Sequence, residues 1–152
     1  MSRLSDAFAP GSMLLGVAVP DWQEAIRAAG TGLVASGRAT GVYVETMVAS
    51  VETHGPYIVI APGVALAHAA ITDQVLSHGF SLARLVHPVD FGDQKVNLVF
   101  ALAAQVGDSH AELMAEFANW LMLPEQINFL LNAGDEAEVR ASFEVASAKI
   151  AE

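Results

Sequence analysis

The chain has 152 residues, of which 53% are hydrophobic and 16% are charged, and its formal net charge at pH 7 is −10. This length predicts one domain spanning residues 1–152, with a large core. Seven Lys and Arg against seventeen Asp and Glu cannot neutralise many phosphates. The composition therefore argues against nucleic-acid binding and favours a partner protein with a basic face.

The chain contains no cysteine, which excludes disulfides, a thiol nucleophile and a zinc site built on sulfur. The apolar run 13–19 is much shorter than the ~20 residues of a membrane span, and no signal-peptide cleavage site follows it. We therefore expect a cytoplasmic protein that is not inserted in a membrane.

The first third of the chain predicts a strand followed by two helices. Residues 1–12 are expected to be loosely ordered, and residues 13–19 to form a short strand. Asp21 and Glu24 have the spacing of a capping box before an amphipathic helix that runs to about residue 36. Thr40 stands where it can cap a second helix with one apolar face.

The most distinctive stretch begins at His54 and ends at His68. Residues 57–61 are rich in β-branched and aromatic side chains, Pro62-Gly63 is a turn signal, and residues 64–66 resume an apolar run. This pattern predicts a β-hairpin with His68 at the exit of its second strand. The neighbours of His68 are alanines, so little bulk would keep another macromolecule from its imidazole.

Downstream, strands are predicted over residues 80–86 and 96–104, the second apolar enough to be buried on both faces. Three helices follow, starting near Ser109, Pro124 and Asp135. Strands in the middle with helices before and after predict an α/β fold, bordering on α+β. Its mixed sheet of about five strands would pack between helices.

Five histidines are the candidate reactive groups: His54, His68, His78, His87 and His110. The chain lacks the nucleophile elbow of serine hydrolases, the phosphate-binding P-loop and the dinucleotide-binding glycine motif. No His-x-x-x-His pair is present, so neither a metal nor another cofactor is expected.

Most histidines beside apolar runs are structural, and His78 and His87 have the setting of loop residues without a role. A neutral imidazole can nonetheless attack phosphorus directly. Phosphoryl transfer then needs hydrogen-bond donors for the negative charge that is spread over the phosphoryl oxygens. Spacing alone does not choose between His54 and His110 as that donor.

Residues 54–69 read HGPYIVIAPGVALAHA and closely resemble the active-site segment of a known family. The family it resembles is enzyme IIA of the bacterial sugar phosphotransferase system (PTS), of the mannitol/fructose type. The segment resembles the ascorbate-specific branch of this family most. Residues 22–26 (WQEAI), residues 96–104 (VNLVFALAA) and His110 at the start of a helix also fit this family, in the same order.

The resemblance implies a phosphocarrier without a cofactor. The histidine at the position of His68 would accept a phosphoryl group from the histidine-containing phosphocarrier protein. It would pass the group to a cysteine of the IIB component, while the membrane component IIC moves the sugar. The histidine at the position of His110 would stabilise the phosphoryl group or orient the ring. His54 would donate a hydrogen bond to a group that contacts the reactive histidine or, as we favour, cap the turn into residues 55–56.

The sequence departs from the family at two positions, since the usual Pro before the active histidine is Ala67 and the usual basic residue after it is Ala70. Losing that positive charge removes one stabiliser of the phosphoryl group. This departure leaves open a regulatory phosphoacceptor that is not coupled to transport, or a family member retaining only the fold. The sequence also leaves the oligomeric state open.

Overall fold

The computed structural model describes residues 3–55, 57–69, 73–104 and 109–151; the side chains of Arg3, Ser109, His110 and residues 145–151 lie outside the described set. Six helices and five strands lie in this part of the chain. In chain order they are α1 (Arg3–Ala7), β1 (Met13–Val17), α2 (Trp22–Ala35), α3 (Gly41–His54), β2 (Val59–Ala61), β3 (Gly63–Ala67), β4 (Gly79–Phe91), β5 (Gln94–Ala103), α4 (Ser109–Leu121), α5 (Gln126–Asn132) and α6 (Glu136–Ala151).

The five strands form one mixed sheet in the order β1-β4-β5-β3-β2. Strand β1 is parallel to β4 and β3 is parallel to β5, whereas the β4–β5 and β2–β3 pairs are antiparallel. The predicted fold class, a mixed sheet of about five strands flanked by helices, is confirmed. The predicted hairpin is also present, with Gly63 at φ 81° beside its turn, a value that glycine adopts readily.

Strand β5 is the middle strand and is buried on both faces, as its sequence predicts. Because side chains alternate along a strand, Leu98 and Phe100 enter one core, whereas Val99 and Ala101 enter the other. The core containing Val99 is closed by α2 and α3, and the opposite one by α1 and the C-terminal helices.

Local capping signals correctly located two helix starts. The Asp21 carboxylate accepts a hydrogen bond from the backbone N–H of Glu24 at 2.9 Å. At the last helix, the Asp135 carboxylate accepts from Glu138 N–H at 3.0 Å, and the Glu138 carboxylate accepts from Gly134 N–H at 3.1 Å. These bonds satisfy backbone donors that a helix start otherwise leaves without partners.

The expectation that residues 1–12 are loosely ordered is wrong for the described residues. Helix α1 occupies Arg3–Ala7, and Leu4 and Phe8 are fully buried. The Phe8 ring stacks on Phe80 at 5.3 Å and on Phe143 at 5.2 Å between centroids. These partners lie far away in sequence, so local patterns could not indicate the ordering.

Two element boundaries differ from the prediction, and the side chain of one predicted cap makes a different bond. Thr40 is the N-cap residue of α3, but its side chain makes no capping bond and instead donates to the Gln74 amide oxygen at 2.6 Å. Strand β4 continues past position 86 to Phe91, because its second half pairs again with β5 after a register shift. Helix α5 begins at Gln126, not at Pro124.

Two glycines inside α2, which count against a helix in the sequence, let it pack closely. A Cβ at Gly30 would lie 2.7 Å from the Val44 methyl groups of α3. A Cβ at Gly32 would lie 2.7 Å from the Ser81 Cβ and 2.8 Å from the Ser12 carbonyl oxygen. Side chains at these positions would push α2 away from α3 and from the sheet.

We predict that Gly32→Ala lowers the free energy of unfolding by about 1–3 kcal/mol, because overpacking outweighs the gain in helix propensity. Urea denaturation measures the change. The matched control is Gly41→Ala at the start of α3, where an added Cβ meets nothing within 4 Å. A Gly32→Ala protein as stable as the control would contradict the packing argument.

Candidate functional site

The candidate site lies where the chain leaves β3. Strand β3 ends at Ala67, and His68 follows directly, half-buried, with its backbone outside the sheet. Because β3 is parallel to β5, with Ala67 opposite Ala101, both strands end at the same edge. The predicted position of His68 at a strand exit is thus what the structure shows.

The His68 ring has a defined hydrogen-bonding state. Its Nδ1 lies 2.8 Å from the carbonyl oxygen of Leu66, and a carbonyl oxygen can only accept, so Nδ1 carries the hydrogen. In the neutral ring Nε2 then holds the lone pair, and within the described ranges no protein atom hydrogen-bonds it. The ring is therefore arranged to act as a nucleophile through Nε2.

The buried hydroxyl of Tyr43 connects the two strand exits. It donates to the carbonyl oxygen of Leu102 at 2.7 Å and accepts from the backbone N–H of Ala69 at 3.3 Å. Tyr43 is 1% exposed, so both bonds are shielded from water. One side chain of α3 thus fixes the residue after His68 to the end of β5.

Tyr57 and His54 lie beside His68 on the hairpin side. The Tyr57 ring stands edge-on to the His68 ring, with centroids 5.3 Å apart and planes at 89°. It also meets the His54 ring, with centroids 6.3 Å apart and planes at 88°. The Tyr57 hydroxyl is 2.9 Å from the Ser50 hydroxyl, and His54 Nδ1 is 3.1 Å from the Ser50 carbonyl oxygen.

The remaining histidines are placed differently. His110 is the second residue of α4, which follows β5, so the backbone topology brings it toward the edge where His68 lies; its side chain is outside the described residues. His78 precedes β4 and its carbonyl oxygen accepts from the Arg38 guanidinium. His87 is exposed on β4. We assigned neither of these two a role, and neither contacts His68 within the described chain.

The described cations are all engaged away from His68. The Arg27 guanidinium pairs with Glu24 and Glu45, and the others contact carboxylates or carbonyl oxygens elsewhere: Arg38, Arg84, Lys95 and Arg140. Residue 70, where the family carries a basic side chain, is Ala in the sequence and lies outside the described residues. No described Lys or Arg is therefore available to a negative group on His68.

Two clefts lined by described residues do not include this histidine. One of about 360 Å³ is lined by Trp22, Glu52 and Phe91, and another of about 370 Å³ lies between α2 and α3 beside Arg27 and Glu45. Neither is lined by His68. A half-buried reactive ring outside both clefts suits a macromolecular partner better than a small enclosed substrate.

Two searches of the described residues bear on metals and membranes. They contain no group of three or more His, Cys, Asp or Glu side chains that could hold a metal ion. Within the same ranges, none of the helices has the length and apolar character to cross a membrane.

Comparisons with known proteins show the family of this chain. A family model described as "Phosphoenolpyruvate-dependent sugar phosphotransferase system, EIIA 2" matches residues 7–145. The mannitol-specific cryptic phosphotransferase enzyme IIA component of Escherichia coli (strain K12) is 32% identical over 139 residues, covering 90% of this chain and 95% of that protein. The ascorbate-specific PTS system EIIA component of the same strain is 33% identical over 115 residues, 73% of this chain and 75% of that protein.

A solved structure extends the likeness to the fold. In the complex of enzyme IIA-Mtl and phosphorylated enzyme IIB-Mtl from Escherichia coli, the matched chain has a TM-score of 0.76 and 25% identity, covering 90% of this chain and 96% of that one. Fold and relatives together define a phosphotransfer protein. The chain belongs to the EIIA 2 family of the phosphoenolpyruvate-dependent sugar phosphotransferase system, and the resemblance seen in the sequence is confirmed.

Sequence reasoning missed Tyr43 and gave Tyr57 only a place in a strand. Both tyrosines act through residues distant in sequence, since Tyr43 contacts Ala69 across 26 positions and Tyr57 contacts His68 across 11. The available signal was a polar-tipped aromatic residue on the buried face of a helix, because a buried Tyr hydroxyl usually has a hydrogen-bond partner.

We predict that Tyr43→Phe lowers the free energy of unfolding at pH 7 by about 1–3 kcal/mol, since it leaves Leu102 O and Ala69 N–H without their buried partner. It also removes a pH dependence. Burial raises the pKa of Tyr43 above its ordinary value of 10.0, with the Ala69 N–H acting in the opposite direction. As the pH rises above about 10, the unfolded chain loses this proton first, and the stability of the wild type falls.

Urea denaturation between about pH 8 and pH 11 tests both effects. The matched control for losing a hydroxyl is Thr46→Ala on the same helix, which removes a bond to Val42 O on the exposed face and should cost less than about 0.5 kcal/mol. If Tyr43→Phe lost stability with rising pH as steeply as the wild type, Tyr43 would not be the titrating group.

Proposed function

We propose that this protein is a phosphocarrier of the sugar phosphotransferase system, acting through His68 in the cytoplasm. His68 accepts a phosphoryl group from the histidine-containing phosphocarrier protein and passes it to a cysteine of a IIB component. The observation that carries the proposal is a ring whose Nδ1–H is bonded to Leu66 O, which leaves the lone pair on Nε2, an atom that no described residue hydrogen-bonds.

The first step is an in-line displacement at phosphorus. The Nε2 lone pair forms the new P–N bond while the P–N bond to the donor histidine breaks, so one group moves and no water enters. The His68 ring gains positive charge, which the Leu66 carbonyl oxygen stabilises through Nδ1–H. In the second step the IIB thiolate attacks phosphorus, and the His68 ring leaves as the neutral tautomer from which it started.

His110 is proposed as the group that stabilises the phosphoryl oxygens or orients the ring. Its support is topological, because helix α4 follows β5, whose carboxyl end lies beside that of β3. His54 is proposed as an outer support, since its ring contacts Tyr57 and its Nδ1 faces a backbone carbonyl oxygen.

The partners are proposed from charge and from the relatives. The net charge of −10 favours a donor protein with a basic face around its own histidine. The E. coli complex contains a phosphorylated IIB protein bound to its IIA chain, which supports a IIB acceptor here, with IIC involved only through IIB. The ascorbate-specific relatives support an ascorbate-like sugar.

The test is phosphorylation by phosphoenolpyruvate, enzyme I and the phosphocarrier protein, followed by intact mass. We expect one acid-labile phosphoryl group on the wild type, none on His68→Ala, and a rate about tenfold to a hundredfold lower for His110→Ala, which loses one donor to the transferring group. His87→Ala, which changes an exposed histidine of β4, is the control and should match the wild type. An unmodified wild type, or labelling of His68→Ala, would refute the assignment.

A second candidate function is a regulatory phosphoacceptor that is not coupled to transport. The observation favouring it is Ala70 in place of the family's basic residue, with every described cation engaged elsewhere. Onward transfer separates the two functions. Phosphate moving from His68 to the cysteine of a purified IIB protein supports the carrier, whereas stable phospho-His68 with every IIB protein of the same genome supports regulation.

A further inference from the structure

Tyr57 is the large side chain that meets the His68 ring. The residues on either side of His68 are alanines, which cannot restrict the imidazole. The torsion that turns a histidine ring is broad and roughly two-fold. A single hydrogen bond from Nδ1 to Leu66 O therefore has to select one orientation unless another group helps.

The geometry of Tyr57 supplies that help. Its ring lies 5.3 Å from the His68 ring, with the planes at 89°, an arrangement that aromatic pairs favour. A ring standing perpendicular beside the imidazole limits rotation out of the plane in which Nδ1 reaches Leu66 O. Nε2 then stays directed away from the hairpin.

Tyr57 is itself held from α3. Its hydroxyl is 2.9 Å from Ser50 Oγ, and its ring meets the His54 ring with centroids 6.3 Å apart. His54 is in turn fixed by the bond between its Nδ1 and Ser50 O. A continuous series of contacts thus runs from the last turns of α3 through Tyr57 to His68, although Tyr57 is 45% exposed.

We propose that Tyr57 is a positioning residue for His68, keeping the imidazole in the orientation and tautomer that present Nε2, with Ser50 and His54 supporting it. The kinetic part of this inference rests on the proposed phosphocarrier function. The orientation of the ring is a property of the unmodified protein and can be measured without any transfer.

The experiment compares Tyr57→Leu, which removes the ring, with Tyr57→Phe, which keeps the ring and loses the contacts of the hydroxyl with Ser50 Oγ and with His68 O. The matched control is Ile60→Ala, because Ile60 lies on the same hairpin and is also 45% exposed. Nitrogen-15 NMR of the imidazoles at about pH 8.5, where an ordinary histidine is neutral, reports the tautomer. Urea denaturation checks that all variants are folded.

In Tyr57→Leu we expect the Nδ1–H form of His68 to give way to a tautomer mixture. With the phosphocarrier protein as donor, kcat should fall about threefold to tenfold with little change in KM, as for an interaction made at the reacting ring. Tyr57→Phe should recover most of both effects, and Ile60→Ala should show neither.

Two outcomes overturn the inference. If Tyr57→Leu keeps the wild-type tautomer and its kcat while KM rises, Tyr57 is a docking residue for the partner. If Tyr57→Leu behaves like Ile60→Ala in both measurements, Tyr57 only covers the hairpin. Should the wild type accept no phosphate at all, the proposed function fails, and the NMR comparison alone decides the positioning role.

Discussion

Strands β3 and β5 lie parallel, with Ala67 opposite Ala101, so the chain leaves both strands at one edge of the sheet. This pairing brings His68 toward a helix that begins about forty residues later in the chain, because parallel strands share the edge at which they end. The Tyr43 hydroxyl then fixes the two exits together through Leu102 O and Ala69 N–H. The position of His68 therefore depends on this edge as well as on the hairpin that precedes it.

The register of β5 in the sheet is fixed by its packing. Its alternate side chains enter the two cores on opposite faces of the sheet, and a shift of one residue would exchange the two sets. Helix α2 lies close over the sheet because Gly32 presents no Cβ to Ser12 and Ser81. The exit of β3, where His68 lies, is thus carried on a tightly packed base.

Local sequence signals predicted much of this fold. The apolar run of β5, the Asp21 and Asp135 caps and the Pro62-Gly63 turn each act within a few residues, so a pattern reveals them. Helix α1 was missed because its order comes from Phe8 packing against Phe80 and Phe143. Such contacts join residues that are distant in sequence, so the local sequence pattern does not indicate them.

The position of His68 was predictable for the same reason. Turn chemistry alone located His68 at a strand exit, and only the resemblance to the family proposes it as the reactive ring. The tautomer depends on where the Leu66 carbonyl oxygen points, and the roles of Tyr43 and Tyr57 depend on contacts that only the tertiary fold creates. None of these has a sequence pattern of its own.

The electrostatics of the site bear on which way a phosphoryl group would move. Such a group carries about −1.5 to −2 charges near neutral pH. On either side of His68 in the sequence, the first described cation is Arg38 or Arg84, and both are bonded to carbonyl oxygens elsewhere. An interaction that stabilises the phosphorylated intermediate as much as the transition state lowers the free energy of that intermediate, the well from which the next transfer starts. It therefore does not lower the barrier to that transfer. With Ala70 in place of a basic residue, a phosphoryl group on His68 would lack that charge and depend on the donor proposed at His110. Transfer onward would then start from a shallower well, so the missing base does not count against a carrier, although it is also the observation that favours the regulatory alternative.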